Sequence, residues 1–206
     1  MMNSTPIVFV VDDDISVRES LELLIGQAQW RPQLFESAQA FLAHPRSLVP
    51  SCLVLDINLP DLNGLDLQNA MAGDRPKIPI IFITGYGDVP RSVRAMKAGA
   101  VEFLTKPFDD EVLLSAITDA LASSRAALER EGDLRALRDA RATLTPRENE
   151  VLEMVVAGRM NKVIASDLGI SEITVKAHRG KVMRKMKARS LADLVKKVTQ
   201  LAPPPD

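Results

Sequence analysis

The sequence predicts an α/β domain built on a doubly wound parallel sheet, joined by a long helix to a smaller all-helical domain. Three observations carry that expectation. Residues 7–108 alternate short apolar runs with amphipathic ones. Residues 109–143 hold no proline and a single glycine, Gly132, in a stretch rich in Ala, Leu, Arg and Glu. From residue 144 onward the apolar spacing is helical, with a capping residue near each break.

Taken in order, Ile7–Val11 reads as a buried strand that stops at Asp12, Asp13 and Asp14. Ser16 followed by Glu19 reads as a capping box, with Val17, Leu21, Leu24 and Ala28 on one helical face. Arg31–Phe35 makes a weaker strand, and a short helix follows Ser37. Cys52–Asp56 is another buried strand, then a loop over Pro60–Gly64 and a helix through Leu65 and Leu67 to Met71. Pro79–Thr84 is the next apolar run, before Gly85-Tyr86-Gly87 and a helix from Asp88 to Ala98. Ala100–Leu104 is the last strand. Strands alternating with helices imply a parallel sheet covered on both faces.

In the long helix, Leu114, Ile117 and Leu121 are expected to pack on the sheet. Beyond them the spacing loosens at Leu128, Leu134 and Leu137, and Ser123-Ser124 and Glu131-Gly132-Asp133 interrupt it. A helical spacer and a coiled-coil dimer seam both remain open. Thr145-Pro146-Arg147-Glu148 combines an N-cap, proline at the first helical position and Glu at the third. Helices are then expected at 147–157, 161–168, 172–187 and 191–200, with Gly158 and Gly169 at C-termini and Ser171 and Ser190 as N-caps. Residues 202–206 read as a frayed tail. The resulting division is a first domain at 6–122, a linker at 123–143 and a helical domain at 144–201.

Apolar residues make up 46% and charged residues 26%, enough to bury a core. No stretch approaches the roughly 18 apolar residues of a membrane span, and the single cysteine, Cys52, excludes an internal disulfide. Both fit a cytoplasmic protein. The charge is divided unevenly. Residues 1–142 carry 14 Lys/Arg against 20 Asp/Glu, a balance of −6, and residues 143–206 carry 12 against 7, a balance of +5. Only the second part is suited to a polyanion.

Polar residues gather where strands stop: Asp12 and Asp13 after the first, Asp56 closing the third, Thr84 closing the fourth, Thr105 and Lys106 after the fifth. Ligands of open α/β sheets bind outside the carboxyl ends of strands, so these groups should converge. Clustered carboxylates need a cation, and oxygen ligands with no His or Cys nearby suit Mg²⁺. A carboxylate, a metal, the Lys106 ammonium and the Thr84 hydroxyl are the parts that phosphoryl transfer to Asp56 requires.

In Val11-Asp12-Asp13-Asp14, Leu55-Asp56, Ile83-Thr84-Gly85 and Lys106-Pro107-Phe108, the chain resembles the receiver domain of bacterial response regulators, a flavodoxin-like (βα)5 fold. The resemblance implies that Asp56 is the phospho-acceptor, and that Asp12, Asp13, Asp56 and the Asn58 main-chain carbonyl hold Mg²⁺. It implies too that Thr84 and Phe103 move together as a switch, and that Lys106 is aimed by a cis bond to Pro107. Asn58 and Tyr86 match positions that tune autodephosphorylation.

Asn161 to Lys187 has the layout of a helix-turn-helix. On its second helix Val175, Val182 and Met186 form a core stripe, while Lys176, Ala177, Gly180, Lys181 and Arg184 project away from it. Small residues among basic ones let a helix sit deep in the major groove. His178 and Arg179 flank the core stripe, within reach of phosphates. Leu144–Val198 resembles the LuxR-type output domain of the FixJ/NarL family, through Leu144-Thr145-Pro146-Arg147-Glu148, Asn161-Lys162-Val163-Ile164-Ala165, Thr174-Val175-Lys176-Ala177-His178-Arg179, Lys185-Met186-Lys187 and Ser190-Leu191. That resemblance adds Lys162 and Thr174 to the DNA-contacting set, and the two domains together are most similar to the FixJ subfamily. Gly180 departs from it, standing where some relatives carry a basic residue.

The resemblance implies a sensor histidine kinase as phosphodonor, a phosphorylated homodimer, double-stranded promoter DNA, RNA polymerase as a further partner and activation of transcription. Two rivals stand beside it: a constitutive DNA binder with a vestigial first domain, and an Mg²⁺-dependent phosphotransferase. Against the second, the position two residues after Asp56 is Asn58, not an acid.

Overall fold

Strands β1 (Ile7–Val11), β2 (Arg31–Phe35), β3 (Ser51–Asp56), β4 (Ile80–Thr84) and β5 (Glu102–Thr105) pair in parallel in the order β2-β1-β3-β4-β5. Strand order reverses beside β1, so β1 and β3 open a crevice at their carboxyl ends. The computed structural model describes residues 5–45, 48–71, 73, 77–85 and 89–201. Tyr86 and Asp88, and the tail at 202–206, lie outside the described residues.

Every residue of β1, β3 and β4 is buried, as runs with no polar alternation require when both faces are covered. Alternate residues feed two cores. Phe9, Val11, Leu53, Leu55 and Phe82 face α2 (Ala38–Ala43) and α3 (Gly64–Ala70), with Ala95 of α4 (Val89–Lys97) in the same cluster. Val8, Val10, Cys52, Val54, Ile81 and Ile83 face α1 (Ile15–Gln27) and the first turns of α5 (Asp110–Ala142). Cys52 has no exposure, and burial pushes its thiol pKa up.

Several helical details differ from expectation. The N-cap of α1 is Asp14, whose side chain accepts from the Ser16 N–H, so Ser16 sits inside the helix and makes no capping box. The Asp14 carboxylate reaches that N–H because the chain turns directly off β1. On α5 the buried residues are Leu113, Ala116, Ile117, Ala120 and Leu121, whereas Leu114 is half-buried. Ile117 and Leu121 are buried as expected, while Leu113 takes the place expected of its neighbour Leu114. Neither Ser123-Ser124 nor Glu131-Gly132-Asp133 breaks this helix. Ser124 is buried and its Oγ accepts the Ser51 N–H at 3.0 Å, satisfying the first donor of β3.

The chain divides into two compact units, Met1–Glu129 and Arg130–Asp206, and α5 runs through the division. In the second unit α6 (Pro146–Val156), α7 (Asn161–Leu168), α8 (Glu172–Lys185) and α9 (Leu191–Leu201) bury a core of Leu144, Val151, Leu152, Val155, Ile164, Ala165, Val175, Val182, Met186 and Leu194. Thr145 and Glu148 close the expected capping box. Gly169 ends α7 in the left-handed region at φ 65°, and Ser171 caps α8. Lys187, just past α8, is also left-handed at φ 48°. Among the described residues no helix is long and apolar enough to cross a membrane.

Candidate functional site

The crevice at the carboxyl edge of the sheet holds the expected acidic group. Side-chain oxygens of Asp12, Asp13 and Asp56 all lie within 4.8 Å of one another. Asp12 and Asp56 are buried at 1% and 5% exposure, while Asp13 and Asn58 stand open to solvent. The cluster thus has a sealed floor and an accessible rim.

Lys106 supplies the countercharge. Its Nζ lies 2.6 Å from Asp12 Oδ2 and 3.3 Å from Asp56 Oδ1. Its main-chain N–H donates to the Thr84 carbonyl at 2.7 Å, which fixes its place at the end of β4, and the Lys106–Pro107 bond is cis. The ammonium is nearer Asp12 than Asp56, so Asp12 is its principal partner. Burial pushes the Asp56 pKa up, and Lys106 pulls it back only in part, since Asp12 adds like-charge repulsion. For Lys106 burial acts to lower the pKa, but the hydrogen bonds and charges of Asp12 and Asp56 outweigh it and hold it above the usual lysine value.

The second oxygen of Asp56, Oδ2, accepts the Asn58 N–H at 3.0 Å. Asn58 Nδ2 donates to Thr84 Oγ1 at 3.4 Å, so Asp56, Asn58 and Thr84 form one polar patch. Phe103 is half-buried behind it, tilted against Phe82 with ring centroids 6.4 Å apart.

Three participants escaped the sequence reading. Arg18 on α1 donates from Nη1 to the Asp12 carbonyl at 2.7 Å and pins the acidic loop. Arg91 on α4 donates from Nη1 to Asn58 Oδ1 at 3.3 Å. Gly64 begins α3 against the end of β3: a Cβ there would lie 2.7 Å from the Asp56 carbonyl oxygen. Glycine between Asn63 and Leu65 was the available signal for that close approach. Nothing in the sequence separates Arg18 or Arg91 from an ordinary surface arginine.

In the helical unit, Lys176, Ala177, Gly180, Lys181 and Arg184 are all exposed, and Val175 and Val182 are buried on the opposite side of α8. Lys162, on the first turn of α7, is exposed too. Thr174 is half-buried, with its N–H donated to Ser171 Oγ. Arg179 and His178 sit at the margin of the core. Arg179 Nη1 donates to Asn161 Oδ1 at 2.6 Å, tying α8 to α7, and His178 Nδ1 is buried with no hydrogen-bond partner among the described residues. Such an arrangement of two packed helices with one basic face exposed suits insertion into a groove of duplex DNA.

Comparison with known proteins agrees with both halves. Residues 8–118 match the family described as response regulator receiver domain, and residues 142–198 match bacterial regulatory proteins of the luxR family. Nodulation protein W of Bradyrhizobium diazoefficiens is 50% identical over 190 residues, 92% of this chain and 84% of that protein. The transcriptional regulatory protein FixJ of Rhizobium meliloti is 44% identical over 192 residues, 92% of this chain and 93% of that one. The solved structure of the response regulator StyR has a TM-score of 0.85 and 45% identity, covering 96% of this chain and 100% of that one. An acidic crevice in a five-stranded receiver, followed by a LuxR-type DNA-binding unit, makes this chain a member of the FixJ/NarL family of response regulators.

Proposed function

We propose that a sensor histidine kinase phosphorylates Asp56, and that this event switches dimerisation and binding to double-stranded promoter DNA. The observation that carries the reading is the convergence of Lys106 Nζ on Asp12 and Asp56 inside a cluster of three carboxylates. In the transfer, an Asp56 oxygen attacks the phosphorus of the phosphohistidine. The new O–P bond forms as the N–P bond breaks, and the imidazole leaves with the electron pair. Attack of water on the same phosphorus later returns inorganic phosphate and the free carboxylate.

The residues fit Mg²⁺: Asp12, Asp13 and Asp56 offer only oxygen donors, mutually close and with an open rim. With the Asn58 carbonyl they would hold the ion, which when bound neutralises charge on the phosphoryl oxygens. Lys106 places a fixed positive charge against the same oxygens, and Thr84 and Phe103 respond as the switch pair. Because Asn58 replaces a second acid and spends its amide on Thr84 and Arg91, no side chain there protonates a leaving group. Phosphoryl uptake and self-hydrolysis at Asp56, without turnover on outside substrates, is the reading that fits this site.

The working division is a receiver at 6–122, a linker at 123–143 and an output domain at 144–201. Lys162, Thr174, Lys176, Ala177, His178, Arg179, Gly180, Lys181 and Arg184 form the DNA surface, with RNA polymerase recruited to activate transcription in the cytoplasm, where the DNA is. A differential affinity of a few kcal/mol between the two states is enough to convert a mostly inactive population. Treating the full chain with a small phosphodonor and weighing it tests the switch. One added phosphoryl group is expected in the native protein and none in Asp56→Ala, together with phosphate-enhanced dimerisation and DNA binding only in the former. Equal phosphate-dependent DNA binding by Asp56→Ala would reject it.

A further inference from the structure

The exposed side of α8 is a single stripe. Ile173, Lys176, Ala177, Gly180, Lys181 and Arg184 stand at positions i, i+3, i+4, i+7, i+8 and i+11, and all six are exposed. The first of them is apolar. Ile173 is 79% exposed, the highest value of any large apolar side chain among the described residues.

Neither packing nor helix formation accounts for an isoleucine at that position. It contributes to no core cluster, and a β-branched side chain is a poorer helix former than alanine. Single exposed apolar residues are common on protein surfaces, but this one begins the same stripe that ends in Lys181 and Arg184. Gly180 is informative in the same way. A Cβ there would meet nothing within 4 Å, and its φ lies outside the left-handed region, so the domain itself has no need of glycine. The middle of the stripe is bare backbone, as close approach to an outside surface requires.

We propose that Ile173 is a specificity-determining residue of the DNA interface, seating its side chain on thymine C5-methyl groups in the major groove. The assignment rests on the DNA-binding reading of the helical unit. The first residues of a recognition helix meet base edges, and thymine alone presents a methyl group there. Ala177, one turn further along, extends the apolar contact. Gly180 lets the helix settle between groove walls that Lys176, Lys181 and Arg184 hold through phosphates.

The test uses the full chain charged with beryllofluoride and a pool of random duplexes, from which a preferred sequence is selected. Each thymine of that duplex is then replaced singly by deoxyuridine, which deletes the methyl group and keeps every hydrogen-bonding atom. Native protein is expected to lose about three- to tenfold in affinity at one or two thymines per half-site, the size of a lost methyl contact or two. Ile173→Ala should lose as much on the unmodified duplex, show no further loss at those deoxyuridines, and keep the native salt dependence, since no phosphate contact is removed. Ile173→Leu should retain most of the affinity. Deoxyuridine sensitivity that is the same in Ile173→Ala as in native protein, or absent from both, overturns the assignment. Failure of the native protein to select any sequence overturns the DNA reading itself and the role of Ile173 with it.

Discussion

Lys185 Nζ sits 2.6 Å from Glu148 Oε2, across 37 positions of sequence, and Glu148 is only 3% exposed. The same carboxylate accepts the Thr145 N–H, so one acid both closes the N-terminus of α6 and anchors the end of α8. The Lys185 hydrogen bond, with the Thr145 N–H second, lowers the Glu148 pKa from 4.5 to about 2. A depressed carboxylate contributes stability that is complete above its unfolded pKa and is lost as protonation proceeds in the fold. The second unit should therefore weaken as pH falls from 4.5 toward 2. Glu148→Gln should flatten that dependence, as followed by helical circular dichroism. Thr145→Ala, which removes the N-cap, should cost about 1 kcal/mol at neutral pH.

Removing the acceptor on α5 has a different signature. Ser124→Ala leaves the buried Ser51 N–H without its partner, which should cost about 1–3 kcal/mol. Urea titration of the full chain should show the loss in the transition of the receiver, with the helical unit unmoved.

Gly64→Ala should damage the acidic site without touching an acid. Its Cβ would stand 2.7 Å from the Asp56 carbonyl and 3.2 Å from the Phe82 ring. Overpacking of this kind costs about 1–3 kcal/mol. Because backbone rather than a flexible side chain must yield, phosphoryl uptake from a small donor should slow as well.

Among the described residues, Lys106→Met deletes the side-chain cation that is paired with the carboxylates of both Asp12 and Asp56. The three carboxylates then repel more strongly, so the variant should bind Mg²⁺ more tightly, by about tenfold. Calorimetric titration with Mg²⁺ would measure the gain, and mass spectrometry should show phosphoryl uptake reduced.

At φ 48°, Lys187 occupies backbone space that suits glycine. Lys187→Gly should stabilise the helical unit by about 0.5–1 kcal/mol. The Lys197 contact survives, because it is made to the Lys187 main-chain carbonyl. Thermal melts of the two proteins decide the sign.

The parallel sheet and the convergence of Asp12, Asp13, Asp56, Thr84 and Lys106 were legible because apolar runs of strand length end in polar groups, and a parallel sheet collects such ends at one edge. The capping box at Thr145 and the C-cap at Gly169 were legible because caps are local in sequence. Ser16 misled for the same reason: two acceptors compete there, and the direction in which the chain leaves β1 selects Asp14. The burial of Leu113 in place of Leu114, and that of Ser124, depend on how a helix meets a sheet, which helical periodicity alone does not resolve. Arg18, Arg91 and the space denied to a side chain at Gly64 exist only as distances between segments far apart in the chain.

Cys52 sits in the middle strand of the sheet with no surface of its own, and it is the one thiol in the protein. Reaction with a soluble disulfide reagent must therefore wait for β3 to open. The protein carries a built-in clock for excursions of its first unit, readable in the presence of DNA or a phosphodonor and without introducing any label. Its rate under each condition would report how far either one tightens the sheet, independently of what the helical unit is doing.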